Sequence, residues 1–450
     1  MKAEKLKAIK VALISPKGNK FGKNEHLRYF LEQNPFMESF KLLWSGPNLG
    51  LLTLASYFPT SWECEYIDEN IRSIDYKKNY DIVFISAMTQ QANRGYEIAT
   101  HYKKLGILTV MGGIHVSTIP EEACKFVDVI LTGEAELAFP IFLQDFIQGT
   151  IKERYDPPPN RPFDLKKSIL PRYDLIQNET YPVISIQTTR GCPHNCSFCA
   201  ASKVFGNTYR CKSIEQILLE VDTVIGYFPG RLILFADDNA FVNKKAGIAL
   251  LKKLEQRHIR FIAQVDISIA QDEELLFWMT RAGCQWVVIG FESVNIASLQ
   301  NLDANDWKMK QSQKYIDSIK KIHEFGIGVY GTFIVGLDED NSDIFEKTAK
   351  FITDNHLYGA NITIPTPLPG TQLRQQLQSE DRILTMDWDY YTLWDPVISF
   401  RKFSHSEIIE GLINIYNEVN SDENAHNRLL FLRRLVGVRK KILEINHEDI

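Results

Sequence analysis

Residues 183–199 read Val-Ile-Ser-Ile-Gln-Thr-Thr-Arg-Gly-Cys-Pro-His-Asn-Cys-Ser-Phe-Cys. The run at 183–189 has the β-branched, apolar composition of a buried strand. It delivers the chain into three cysteines, Cys192, Cys196 and Cys199, crowded within eight residues. Five more strand-like runs follow, at 232–236, 261–265, 286–290, 329–335 and 360–364. Helical patterns separate them at 214–225, 244–256, 273–282, 311–325 and 343–355. Six βα units in succession make a parallel sheet or a partial barrel, and in both the functional loops leave the carboxyl ends of the strands. The cysteines occupy the first of those loops.

Their spacing is C-x3-C-x2-C. Three thiolates on one loop hold three irons of a [4Fe–4S] cluster and leave the fourth open to a small chelating molecule. Zinc competes for the same sulfurs, but it wants four closed ligands, usually as two separated pairs. His194 would then have to be the fourth ligand from within the same short loop. A disulfide would leave one of the three over. The chain has seven cysteines, an odd number unevenly spaced, which is no disulfide framework. Cys64, Cys124, Cys211 and Cys284 read as small packing residues.

Upstream, strand-like runs at 11–15, 63–67, 82–86, 108–111 and 129–132 alternate with helical patterns at 49–58, 92–105, 121–126 and 135–148. Five parallel strands covered on both faces form the flavodoxin-like doubly wound plan, which binds ligands at its carboxyl ends. Two of those ends carry glycines: Met111-Gly112-Gly113-Ile114-His115 and Thr132-Gly133-Glu134-Ala135-Glu136. Glycine lets backbone approach a ligand closely, although tight turns alone would account for it. The run Asp156-Pro157-Pro158-Pro159-Asn160-Arg161-Pro162 fits neither a helix interior nor a central strand and has the character of a stiff linker. The expected organisation is a doubly wound domain at 1–150, a linker at 151–180, a barrel at 181–375 and a helical region at 376–450.

With these motifs together, the chain resembles the cobalamin-dependent, B12-binding-domain branch of the radical S-adenosylmethionine (SAM) superfamily, nearest to its hopanoid-methylase-like members. The resemblance is carried by C-x3-C-x-aromatic-C and by Phe235-Ala236-Asp237-Asp238-Asn239, Ile289-Gly290-Phe291-Glu292-Ser293, Phe333-Ile334-Val335-Gly336-Leu337-Asp338 and Pro367-Leu368-Pro369-Gly370-Thr371. In front of them, Gly112-Gly113-x-His115, Pro120-Glu121-Glu122 and Gly133-Glu134-x-Glu136 are similar to a cobalamin-binding domain. The hopanoid likeness lies in Ala263-Gln264-Val265-Asp266-Ile267-Ser268 and in the Phe333–Asp338 stretch. No D-x-H-x-x-G is present, so the resemblance implies cobalamin bound without an imidazole ligand.

The resemblance also implies a flavodoxin-like cobalamin domain, a partial (βα)6 radical SAM barrel and a helical tail. Cys192, Cys196 and Cys199 would ligate a [4Fe–4S] cluster. Phe198, Asp237, Asp238, Glu292 and Gly336 would surround SAM. Gly112, Gly113, His115, Gly133 and Glu134 would meet cobalamin. The implied reaction is reductive cleavage of SAM to a 5′-deoxyadenosyl radical, followed by methylation of an unactivated carbon in a small-molecule or lipid substrate. A flavodoxin- or ferredoxin-type protein would be the one-electron reductant. Cobalamin-dependent cyclisation, rearrangement or oxygen insertion shares these motifs, and a redox or SAM sensor with a cluster is a third alternative.

The bulk numbers agree with a two-domain globular chain: 450 residues, 44% hydrophobic and 24% charged. A net charge of −5 gives no global positive field, so nucleic acid is not an expected partner. The charged start at 1–10 has no signal-peptide core, and no long apolar run exists, so a cytoplasmic location is expected. Arg428, Arg433, Arg434, Arg439, Lys440 and Lys441 make 427–443 a basic helix, either packed on its own domain or lying on an anionic membrane. Trp388, Tyr390, Tyr391 and Trp394 form an aromatic cluster that either packs the C-terminal region or lines an apolar pocket.

Overall fold

The structure, a computed structural model, describes residues 9–18, 21–33, 41, 45–158 and 161–445; residues 1–8 of the charged start and Pro159-Asn160 of the proline run lie outside them. The first parallel sheet contains β1 (Lys10–Ser15), β2 (Glu63–Asp68), β3 (Ile82–Ser86), β4 (Leu108–Gly112), β5 (Val129–Leu131) and β6 (Arg154–Tyr155). Its order is β2-β1-β3-β4-β5-β6, the doubly wound arrangement with one added edge strand. Strands covered on both faces read as unbroken apolar runs, as in the fully buried Val11–Ile14 stretch. The helix Ala135–Gln148 closes one face by setting Phe139 and Phe142 against Phe84, at ring separations of 5.9 and 6.0 Å. Gly149, at φ 74°, ends that helix in the left-handed conformation its cap requires.

Two sequence expectations change here. Part of the expected linker is sheet: Ile130 pairs with Arg154 and Leu131 with Tyr155. This is an edge position, the only place in a sheet that tolerates prolines arriving so soon afterwards. The helix expected at 121–126 is instead a pair, Ile114–Thr118 and Pro120–Ala123. Pro120 lacks the N–H that would continue the first helix and starts the second.

The second sheet is built from β7 (Val183–Ile186), β10 (Leu232–Phe235), β11 (Arg260–Val265), β12 (Cys284–Glu292), β13 (Gly328–Ile334) and β14 (Gly359–Thr363). All neighbours are parallel in the order β14-β13-β12-β11-β10-β7, and the two edge strands do not pair, so the barrel is partial. Helices return the chain between strands; Ile214–Tyr227, for example, is started by a Ser213–Gln216 capping box. The helix expected over 311–325 is split into Trp307–Ser312 and Tyr315–Glu324. Val183, Leu234, Ile262, Trp286 and Tyr330 make an apolar floor inside the barrel. Nearer the carboxyl ends, Thr332 pairs with Asn361.

The first barrel strand stops at Ile186, short of the expected 189. A two-residue hairpin follows, β8 (Thr189–Arg190) against β9 (Arg210–Cys211). The helical tail comprises Gln372–Ser379, His405–Val419 and Asp422–Leu443. Between the first two, a strap at 385–395 crosses to the first domain. Trp388 Nε1 donates to Glu122 at 2.6 Å, and Asn93 donates to Asp387 and Asp389 at 2.8 and 3.0 Å. The aromatic cluster therefore packs a domain seam.

Candidate active site

The loop that carries the cysteines is held from the neighbouring strand. Asp237, just past β10 and 1% exposed, accepts the backbone N–H of Thr188 at 2.7 Å and of Thr189 at 2.9 Å, as well as the Thr188 hydroxyl. Asp238 accepts the N–H of Gly191 at 2.7 Å. These bonds explain why β7 ends early, since the donors of 188 and 189 turn to Asp237. Gly191 sits at φ 89°, where a Cβ would lie 2.3 Å from the Thr208 carbonyl oxygen, so only glycine fits. Burial raises both carboxyls, Asp237 to about 6.

Cys192, Cys196 and Cys199 are half-buried and none forms a disulfide. Cys192 Sγ accepts an N–H from Asn239 at 3.9 Å and another from the His194 backbone. Burial pushes the Cys192 and Cys196 thiols up, so ionised sulfur here calls for a bound cation. His194 is committed elsewhere. Its Nε2 lies 3.0 Å from Asp266 Oδ2, and its ring packs against Trp307 at 4.0 Å with the planes tilted by 31°. Burial opposes ionisation of Asp266, but hydrogen bonds from His194, Asn239 and Ser268 overcome it and hold the carboxyl below its usual range. Among the described residues, no three His, Cys, Asp or Glu side chains converge as they would on a single metal ion. A cubane spreads its thiolates over separate irons and needs no such convergence.

A cavity of about 780 Å³ joins the carboxyl ends of the two sheets. The first sheet contributes Gly112, Gly113, Gly133 and Glu134 to its wall, and the barrel contributes Gln187, Gln264, Thr332 and Asn361. Arg190 also lines it, separated from Cys192 by Gly191 alone. The wall includes Tyr57, whose buried hydroxyl has no partner, so it offers a hydrogen bond to a bound molecule. No described residue on this wall is a histidine.

Several residues named from the resemblance stand off this wall. His115 is fully buried, with Nε2 3.0 Å from the Tyr96 hydroxyl, and its ring packs on Trp388 at 5.0 Å. It belongs to the domain seam. Asp237 and Asp238 spend carboxylate oxygens on the loop backbone, and neither reaches the cavity. Phe198 sits in the turn closed by the Cys199 N–H to the Cys196 carbonyl, also off the wall. Glu292 is paired with Lys308 at 2.9 Å. At Gly336 a Cβ would meet Ile408 at 2.7 Å and Phe400 at 3.1 Å, so this glycine faces the helix His405–Val419. Glu134 lines the cavity, yet its carboxylate is taken by Arg190 and Arg210, both at 2.7 Å, and by the N–H of Phe163 at 2.7 Å.

The profile of the Radical SAM superfamily matches residues 186–352, and that of the B12 binding domain matches residues 41–143. The chain is 30% identical to the bacteriochlorophyllide d C-8(2)-methyltransferase of Chlorobaculum tepidum, over 88% of this chain and 88% of that protein. It belongs to the radical SAM superfamily, in the branch with a B12-binding domain. The resemblance read from the motifs is thus borne out. The hopanoid C-2 methylase of Rhodopseudomonas palustris is 27% identical, over 76% of this chain and 66% of its own length. The fold matches TsrM, a radical SAM methyltransferase from Kitasatospora setae with cobalamin and a [4Fe–4S] cluster bound, at a TM-score of 0.65 and 13% identity. That match covers 98% of this chain and 90% of TsrM.

Family membership makes the chain an enzyme whose cofactors are a [4Fe–4S] cluster, SAM and cobalamin. The residues present suit them: three unpaired thiols on one loop with N–H donors to sulfur, and a crevice holding an orphaned hydroxyl. Sequence reasoning missed Asn239 and Asp266 as a pair that holds the cysteine loop at Cys192 and His194, although both stand in quoted strand-end motifs. It also missed Arg190, Arg210 and Lys308. Nothing in the pattern marked them, because their partners are remote in sequence.

Proposed function

We propose that the enzyme methylates an unactivated carbon of a small-molecule or lipid substrate, with Cys192, Cys196 and Cys199 as the cluster ligands. A cluster held by Cys192, Cys196 and Cys199 would supply the electron for cleavage of SAM to methionine and a 5′-deoxyadenosyl radical, and cobalamin would supply the methyl group. The chain's own residues orient and enclose. Asp237 and Asp238 fix the backbone of 188–191, which sets where the loop presents its sulfurs. Gln187, Gln264, Thr332 and Asn361 give the barrel side of the cavity an uncharged, hydrogen-bonding lining. Gly112, Gly113 and Gly133 face it from the first sheet. The observation that carries this reading is the single cavity spanning both carboxyl ends, since methyl transfer needs both cofactors to reach one substrate.

In this reading the domains are 1–150 with the edge strand β6 added, 181–375 and 376–450, and the rest of 151–180 joins them. The electron donor is a flavodoxin- or ferredoxin-type protein. The protein reconstituted without oxygen with iron, sulfide and cobalamin would be given methyl-labelled SAM with chlorin and hopanoid substrates of the kinds its relatives are named for. Label in the product is expected. Deoxyadenosine without labelled product would leave cyclisation, rearrangement or oxygen insertion, and intact SAM after reduction would point to a sensor.

Contact with an anionic membrane surface is the second part of the proposal. No described helix is long and apolar enough to cross a membrane. The helix Asp422–Leu443 packs inward through Leu435 and through Arg439, which donates to Gln285 and Gly326. It turns Leu429, Leu430 and Val436 outward beside Arg433, Arg434, Lys440 and Lys441. Each cation near an anionic surface is worth ~1 kcal/mol. Sedimentation with phosphatidylglycerol vesicles is expected, and it should be lost when the four cations become glutamate. Equal sedimentation of that variant, or its absence in the native protein, would rule the contact out.

A further inference from the structure

At the end of β12 the chain buries an ion pair beside the cysteine loop. Glu292 takes φ 64° and is 8% exposed. Its carboxylate lies 2.9 Å from Lys308 Nζ, which also donates to the Gly290 carbonyl at 2.7 Å. Lys308 is 6% exposed, whereas Lys310 on the same short helix is in solvent. A buried ammonium is costly unless paired, so its placement needs a reason. Asp303 holds the lysine's backbone in register, accepting the N–H of Trp307 at 2.6 Å and of Lys308 at 2.9 Å.

The same segment is bonded to the cysteine loop. Ser197, next to Cys196, donates its N–H to the Leu302 carbonyl at 2.8 Å, and Ala304 donates to the His194 carbonyl at 2.9 Å. The Trp307 ring lies on His194 at 4.0 Å. Residues 302–308 and the cysteine loop are therefore one piece. The short helix that carries the ammonium is thereby tied to the residues on both sides of Cys196.

We propose that Lys308 is a positioning residue for electrons: its buried charge sets the reduction potential of the cluster held at Cys196, with Glu292 as the opposing charge. This rests on the cluster assignment given above. A reduced cluster carries one more negative charge than its oxidised form, so a nearby ammonium in a poorly screened site favours reduction and a carboxylate opposes it.

The test is an electron-paramagnetic-resonance redox titration of the reconstituted full-length protein, without SAM, with iron and sulfide measured on each sample. Lys308→Met is expected to move the midpoint to more negative potential, Glu292→Gln to more positive potential, and Lys308→Arg to leave it near the native value. Opposite shifts in the first two are the electrostatic signature that a merely structural role would not produce. Equal midpoints with full iron content would overturn the proposal. So would an unchanged Lys308→Met midpoint with weakened SAM binding, which would make the ammonium a SAM contact instead. If Lys308→Met does not hold its iron, Glu292→Gln decides: a positive shift supports the proposal, and no shift or a negative one overturns it. Failure of the native protein to hold iron would defeat the cluster assignment itself.

Discussion

The carboxyl ends of the two sheets face one cavity but use their acidic residues in opposite ways. On the barrel side, Asp237, Asp238 and Asp266 turn back on their own neighbourhood and bind the cysteine loop, directly or through His194 and Asn239. On the side of the first sheet, Glu134 and Glu136 reach across to Arg190 and Arg210 of the hairpin that carries that loop. One end braces itself; the other grips its neighbour. A strand-end carboxylate can therefore serve to hold a neighbouring loop, as Asp237 and Asp238 hold the backbone at 188–191.

The barrel end should fail first and most completely. Replacing Cys192, Cys196 or Cys199 with alanine is expected to remove most of the iron and to lower SAM cleavage by at least about a thousandfold, roughly 4 kcal/mol of barrier. Corrinoid binding should survive, because the opposite wall is untouched. Full iron content in any of the three variants would detach the cluster from this loop.

The grip across the cavity comes next. Glu134→Ala leaves Arg190 and Arg210, each with side chains only 10% exposed, without a shared counter-charge. Breaking one partner of a buried pair typically costs about 3–5 kcal/mol. The urea midpoint should fall accordingly, and corrinoid affinity should fall with it because this wall of the crevice loses its anchor. A loss under about 1 kcal/mol would mean that the domains are joined chiefly by the Trp388 strap.

The two ends also differ in how legible they were. Strand positions in both sheets follow from apolar runs of β-branched residues, and the structure moves most of their ends by only a residue or so. The cysteine loop was legible because its chemistry is local: three sulfurs within eight residues. Glu134 and Lys308 were opaque for the opposite reason. Glu134 meets Arg210 across 76 positions and Lys308 meets Gly290 across 18, and no periodicity encodes such pairings. The short strand β6 was missed because two residues ahead of a proline run carry no alternation to detect.

A smaller effect separates two carboxylates of the barrel end by sign. Asp237 is raised to about 6 from 3.8 by burial, so between about pH 4 and 6 the folded chain holds more protons than the unfolded one, and stability falls as pH rises through that window. The span corresponds to ~3 kcal/mol at most. Asp266 is lowered by its hydrogen bonds from His194, Asn239 and Ser268, so its contribution is present above the unfolded value and lost as pH falls. Urea unfolding at several pH values should show Asp237→Asn flattening the decline between 4 and 6, and Asp266→Asn flattening only the acid side. The same slope in both variants would remove the distinction.

The smallest effect tests what the glycines of the first sheet are for. Gly113 stands at φ 104°, where a Cβ would come within 2.6 Å of the Ala87 carbonyl oxygen and 2.9 Å of its nitrogen. Those are backbone atoms of the neighbouring strand's exit and cannot swing aside, so Gly113→Ala should cost ~2–3 kcal/mol from strain and overlap together. Gly149 also has a positive φ, 74°, but lies in the left-handed region that other residues can adopt at modest cost, with nothing within 4 Å of its Cβ position. Gly149→Ala should therefore cost only about 1 kcal/mol from the backbone alone. If Gly113 instead serves a cofactor's close approach, its alanine variant would match Gly149→Ala in thermal stability and lose corrinoid affinity. A thermal loss larger than that of Gly149→Ala, in protein that has bound no corrinoid, would show that the glycine answers first to the neighbouring strand.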